Sequence, residues 1–175
     1  MKQMTFETER LKYRPVEPSD AKLFFELDSD PMVMKYINGG TPTSMAEIED
    51  FLPKIIERDS NLNGLGIWMA FLKSDSSFVG WYSLKPLPGT IEIEVGYRLK
   101  QIYWGKGFAT EGSKYLLHFG LTKMDLKKVV AITDPENKAS KNVLTKIGLK
   151  YIDDRMYSSP REPEGHLVSW LEIKC

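Results

Sequence analysis

Apolar and polar positions alternate over Arg10–Val16, with Leu11, Tyr13 and Pro15 on one face; this period of two predicts a strand. From Pro18 the period changes. Ala21, Phe24, Phe25 and Leu27 follow at helical spacing, and Ser19 or Asp20 would cap a first helix. Asp30-Pro31 opens a short helical turn reaching Ile37, and Asn38-Gly39-Gly40 breaks it. Thr43 or Ser44 would cap a third helix carrying Ile48, Phe51, Leu52, Ile55 and Ile56. After a loop at Asn61–Gly64, apolar runs at 67–72 and 78–84 read as a hairpin around Lys73–Ser77.

Beyond a turn at Pro86–Gly89 comes the clearest alternation in the chain. Ile91, Ile93, Val95, Tyr97 and Leu99 share one face of a strand, and Glu92, Glu94, Gly96 and Arg98 share the other. The run Trp104-Gly105-Lys106-Gly107 leads into a helix reaching about Met124, with a buried face from Ala109 through Gly112, Ser113, Leu116, Leu117, Gly120 and Leu121. Its small residues predict close approach to a sheet. Lys127–Thr133 reads as a strand. Asp134-Pro135 reads as a helix start with proline at the first helical position, and Gly148 as that helix's end. Strands at 150–157 and 167–173 close the chain, joined by a Pro/Gly-rich loop over Ser158–Gly165. The order β, helices, β-β-β, α, β, α, β-β predicts an α/β domain over residues 1–175, a mixed central sheet with helices on both faces.

Composition narrows the function. Lys plus Arg and Asp plus Glu number 24 each, so the basic excess of a nucleic-acid binder is missing. The one cysteine, Cys175, can form no intramolecular disulfide, as expected in a reducing, cytoplasmic setting. His118 and His166 lie far apart in sequence and argue against a zinc site. No apolar stretch of signal-peptide type opens the chain, and the apolar run 67–72 is too short to cross a bilayer.

The candidate chemistry sits at Trp104-Gly105-Lys106-Gly107-Phe108-Ala109-Thr110, between strand and helix. Two glycines let backbone amides approach a ligand, and a helix N-terminus adds unpaired N–H groups and a positive dipole end. The pattern suits a pyrophosphate. It is not a Walker A loop, because Lys100 and Gly107 occupy the places of its first glycine and its Ser/Thr. Nor is it a full dinucleotide fingerprint, because Thr110 replaces the third glycine.

Glu94-Val-Gly-Tyr-Arg-Leu99 followed by Tyr103-Trp-Gly-Lys-Gly-Phe-Ala-Thr-Glu111 resembles the core of the GNAT superfamily, most closely its ribosomal-protein N-terminal acetyltransferase branch. Asp134-Pro-Glu-Asn137-Lys-Ala-Ser140, Lys146-Ile-Gly148-Leu149, the opening Glu7-Thr-Glu-Arg-Leu11 and the ending Val168-Ser-Trp-Leu-Glu-Ile173 agree with it. The resemblance implies a GNAT fold with a V-shaped splay between two central parallel strands. It implies transfer of an acetyl group from acetyl-CoA, with no metal, to a primary amine on a protein N-terminus or a small molecule. No nucleic acid or membrane partner is implied, and both a monomer and a homodimer fit.

The implied cofactor contacts are Val95, Tyr97, Arg98, Leu99, Trp104, Gly105, Lys106, Gly107, Phe108, Ala109, Thr110, Asn137 and Ser140. Glu94, ahead of Glu92, is the implied base toward the amine, and Ser140 the implied partner of the leaving thiolate. Each has a plainer reading: Glu92 and Glu94 as a solvated strand face, Asn137 as a helix cap, Ser140 as a surface hydroxyl. Trp68, Trp81, Tyr82 and Trp170 read first as core, and His118 and His166 as structural and loop residues. Two departures stand out. Ile102 replaces the family's frequent Gln or Arg before the first loop glycine, and Leu144 stands where many members carry a proton-donating Tyr. The rival reading is a non-catalytic acyl-CoA-binding module that keeps the glycine cradle alone.

Overall fold

A computed structural model describes residues 3–160 and 162–174. Cys175, Met1 and Lys2 lie outside the described residues, as does Arg161 of the expected late loop. The elements run β1 (Phe6–Glu7), β2 (Leu11–Pro15), α1 (Ala21–Asp28), α2 (Pro31–Asn38), α3 (Met45–Ser60), β3 (Gly66–Leu72), β4 (Phe78–Pro86) and β5 (Ile93–Leu99). They continue with α4 (Phe108–Thr122), β6 (Lys128–Thr133), α5 (Lys138–Lys146), β7 (Lys150–Ser159) and β8 (Glu162–Lys174).

Eight strands form one sheet in the order β1-β2-β3-β4-β5-β6-β8-β7. Among the described residues only β5 and β6 are parallel, and their pairing is confined to Glu94 opposite Val130. By contrast β4 pairs with β5 along its whole length, from Pro86–Ile93 to Gly80–Leu99. Past Glu94 the two central strands part company, as the resemblance implies.

The period-two pattern divides the core. Trp68, Ala70, Tyr82, Leu84, Val95 and Leu99 pack with Leu116 and Leu117 of α4, Leu144 of α5 and Ile147 just after it. The alternate residues Ile67 and Met69, with Phe78 turned to the same side by a register shift at the start of β4, pack with Phe24 and Leu27 of α1 and Ile48, Leu52 and Ile55 of α3. On that second face but in the other half of the sheet, Val130, Val168 and Trp170 form a cluster with Leu87 and Tyr157. Helix α4 comes close to the sheet because a Cβ at Gly112 would stand 2.4 Å from Tyr82 Cε1.

Several expectations are corrected. The central strand begins at Ile93, not Ile91: Leu87 N donates to Glu92 O at 2.8 Å and ties 87–92 into a turn that leaves Ile91 98% exposed. Pro135 does not start a helix. Asp134 Oδ1 accepts from Glu136 N at 2.8 Å, holding a local turn, and α5 begins after Asn137. Asp20 stands at the start of α1 without capping it, because its carboxylate accepts from Arg14 and from Glu17 N. Ser44, of the two candidates, caps α3. The late loop is mostly strand, with β7 running to Ser159 and β8 resuming at Glu162. Proline is tolerated at 163 because β6 pairs only with Ser169–Lys174 of β8, leaving that part of the hairpin with one free edge.

Candidate active site

The glycine loop leaves β5 by a short 3-10 turn at Gln101–Tyr103 and enters α4 at Phe108. Gly105 has φ +70° and Gly107 φ +83°, the left-handed region that a side chain resists. Among the described residues, the amides of Gly105 through Thr110 meet no backbone or side-chain acceptor, and the first α4 bond is Glu111 N to Gly107 O at 3.0 Å. The amides that open this 15-residue helix, with the glycine loop before them, thus remain for an anion. Neighbouring contacts fix their direction. Trp104 Nε1 donates to Leu99 O at 2.9 Å, and the buried Tyr82 hydroxyl donates to Phe108 O at 2.7 Å. Burial pushes the Tyr82 phenol well above its ordinary pKa, so it stays a donor. A Cβ at Gly105 would meet nothing within 4 Å, so that side of the loop is open.

Tyr97 and Ser140 face one another where β5 leaves β6. Burial raises the Tyr97 phenol, and a hydrogen bond with the Ser140 side chain pulls the other way. Asn137 does cap α5, its Oδ1 accepting from Ser140 N at 3.0 Å, which leaves its Nδ2 for other work. Leu144, one turn beyond Ser140, is 2% exposed and belongs to the core under α5. No hydroxyl replaces the family tyrosine at that place.

Glu94 and Arg98 point to the opposite face. Glu94 Oε2 lies 2.8 Å from Lys85 Nζ, its cross-strand neighbour. Glu92 is engaged elsewhere, 2.7 Å from Lys128, which also reaches Glu172 at 3.1 Å. The Arg98 side chain does not reach the glycine loop. It lies 2.7 Å from Asp28 at the end of α1 and 5.1 Å over the Trp81 ring. Only its backbone remains for a cofactor in the cleft.

Between these two filled pairs, Lys85–Glu94 and Trp81–Arg98, the ladder places Ser83 opposite Gly96. Ser83 is 1% exposed and its Oγ has no partner among the described residues, nor do Trp81 Nε1 and Arg98 Nε. A Cβ at Gly96 would meet only Ser83 Oγ, at 3.0 Å. A notch one residue wide therefore opens beside Glu94. The end of the late hairpin leans over this face: Tyr157 donates to Pro88 O at 2.7 Å, and its phenol is raised by burial and then by the charges of Glu94 and Glu162. His166 pairs with Glu162 at 3.1 Å on the same hairpin. Sequence reasoning missed Ser83, Lys85 and Asp28, which carry no motif, and missed Arg10, whose contacts with the loop follow below.

A depression of about 520 Å³ along α3, lined by Ala46, Glu47, Asp50, Phe51 and Lys54, offers two carboxylates and no amide cradle. It suits no pyrophosphate.

Residues 10–150 match the family described as the acetyltransferase (GNAT) domain. The chain belongs to the GNAT family. It is 28% identical over 171 residues to the FsC-acetyl coenzyme A-N(2)-transacetylase of Aspergillus fumigatus, covering 93% of this chain and 72% of that one. A GNAT-family acetyltransferase from Bacillus anthracis superposes with a TM-score of 0.80 at 26% identity, covering 98% of each chain. RimL, a ribosomal L7/L12 α-N-protein acetyltransferase in complex with coenzyme A, superposes at 0.79 and 15% identity, again over 98% of each, and so shares the fold. This GNAT protein is an acetyl-CoA-dependent N-acetyltransferase. No helix among its described residues is long and apolar enough to cross a membrane.

Proposed function

We propose that one domain, residues 1–175, transfers acetyl directly to a primary amine while both substrates are bound, with Glu94 as base and Ser140 as partner of the leaving sulfur. The observation that carries this reading is the parting of β5 from β6 just beyond Glu94 and Val130. It opens a cleft with the amide loop at one end, Tyr97 and Ser140 on one side and Glu94 with the Gly96 notch on the other. Acetyl-CoA supplies the activated thioester. The amides of Gly105–Thr110 hold its pyrophosphate, and Asn137 Nδ2 meets the arm that follows. Amides on the β5 edge, between Val95 and Leu99, donate to the oxygen that becomes negative at the reacting carbonyl. Glu94 accepts one proton from the acceptor ammonium, the neutral nitrogen forms the new C–N bond as the C–S bond breaks, and the second proton of that nitrogen passes to the departing thiolate, which the Ser140 hydroxyl meets with a hydrogen bond.

The acceptor is a protein N-terminus or a small-molecule amine, and a cytoplasmic setting accords with a single cysteine in the chain. Coenzyme A release over a panel of peptides, polyamines, amino sugars and amino acids tests the reading. Saturable release with at least one amine is expected. Tight acetyl-CoA binding with no release from any class would favour the non-catalytic acyl-CoA-binding module instead.

A further inference from the structure

The loop amides can hold an anion only if the loop keeps its shape, and its support comes from the segment between β1 and β2. Glu111 lies in the first turn of α4. Thr8 Oγ1 donates to Glu111 Oε1 at 2.6 Å, the Arg10 amide donates to the same oxygen at 2.9 Å, and Arg10 Nε donates to Oε2 at 2.7 Å. Burial pushes the Glu111 carboxyl up, but these bonds outweigh it and hold the group below its ordinary pKa. The other arm of the guanidinium, Nη1, donates to Lys106 O at 2.8 Å. The guanidinium sits 4.1 Å over the Phe108 ring, and a Cβ at Gly107 would stand 3.3 Å from Nη2. One side chain thus braces Lys106, Gly107, Phe108 and Glu111 together.

The bond to Lys106 O also sets a direction. A trans peptide points its C=O and the next N–H opposite ways. With Lys106 O drawn toward Arg10, the Gly107 N–H is turned away from it, into the cradle. We propose that Arg10 is a positioning residue of the cofactor site, fixing the glycine loop through Lys106 O and the start of α4 through Glu111. This rests on the reading of the loop as the pyrophosphate cradle. The Arg10 charge is balanced by Glu111, so its effect on the ligand passes through the backbone it orients. Preorganisation of this kind raises affinity by removing an ordering cost that binding would otherwise meet.

The test compares wild type with Arg10→Ala, Arg10→Lys and Glu111→Gln. Calorimetry measures acetyl-CoA, and NMR titration measures acetylpantetheine, which has the same thioester arm and no pyrophosphate. Arg10→Ala should weaken acetyl-CoA about tenfold, the scale of one bond to a charged group, and change acetylpantetheine less than about twofold. Arg10→Lys keeps the charge and loses the fork that reaches two acceptors, so it should resemble Arg10→Ala. Should Arg10→Ala fail to fold, Arg10→Lys and Glu111→Gln carry the same comparison. Equal losses for both ligands, unchanged acetyl-CoA affinity, or full rescue by lysine would each overturn the proposal. Wild type that binds acetyl-CoA no better than acetylpantetheine would overturn the cradle reading, and the brace with it.

Discussion

Glu94 and Gly96 stand two positions apart on one face of β5, one offering a carboxylate and the other an absence. Loss of a general base costs about 10²–10⁴-fold in rate. Glu94→Gln should therefore lower kcat by at least the low end of that range and flatten the acidic limb of the pH–rate profile. If Glu94 serves only to anchor Lys85 across the ladder, kcat stays near wild type and the loss shows in Tm instead, so both are measured. Gly96→Ala should reduce turnover and leave acetyl-CoA affinity unchanged, because its Cβ would fill the notch at 3.0 Å from Ser83 Oγ, on the face away from α4. A fall in acetyl-CoA affinity of the same size would mean that the notch belongs to the cofactor's side. These residues differ in how well the chain announces them. Glu94 and the loop glycines sit in local patterns whose spacing has a physical meaning. Arg10 pairs with Glu111 across 101 positions, and Ser83 matters only because Gly96 lies opposite it in the ladder. Neither relation exists until the sheet has formed.

Among the elements, the amphipathic ones were legible and the irregular ones were not. The alternation of Ile93–Leu99 and the helical stripes of α3 and α4 come from a buried face, which repeats. The late hairpin was misjudged because Pro163 and Gly165 look like loop residues, and only knowledge of which edge β6 covers makes them acceptable. Strand β1 was missed because two residues cannot display a period. The hairpin also carries a titration. Glu172 of β8 is held at about 2, chiefly by its bond to Lys174 and then by Lys128 against some burial. A carboxyl lowered in the folded state lends stability above its unfolded pKa of about 4.3 and loses it as pH falls toward the folded value. Thermal melts from neutral pH down to about pH 2 should show a decline below about pH 4 that Glu172→Gln diminishes. An identical acid profile in the variant would assign the decline to other carboxylates.

At the scale of the whole molecule, the sheet divides into two blocks that share side-chain contacts but little backbone. β1–β5 form one ladder and β6–β8–β7 another, and the backbone joins them at the single Glu94/Val130 pair. The helices α4 and α5 bridge them from one face through the large core cluster. The succession of elements was readable from the sequence, and the resemblance implied the parallel central pair. The splay of the central pair came from the resemblance alone, since nothing in Val129–Ala131 distinguishes a fully paired strand from one that leaves its neighbour.

That single shared rung makes the sheet a structure with a missing strand. A ligand lying in the gap would do what a strand does, giving each free edge a partner and joining two blocks whose backbones meet at one rung. Occupancy should then be felt as cooperativity. Ligand at a hundred times its dissociation constant adds about 2.7 kcal/mol of stability to any protein by mass action. Here the added protection in amide exchange should concentrate on β5 beyond Glu94 and on the facing edge of β6, and the two blocks should exchange more nearly as one unit. Protection spread evenly over the chain would show that the blocks were already a single cooperative body, and that the ligand merely rests on it.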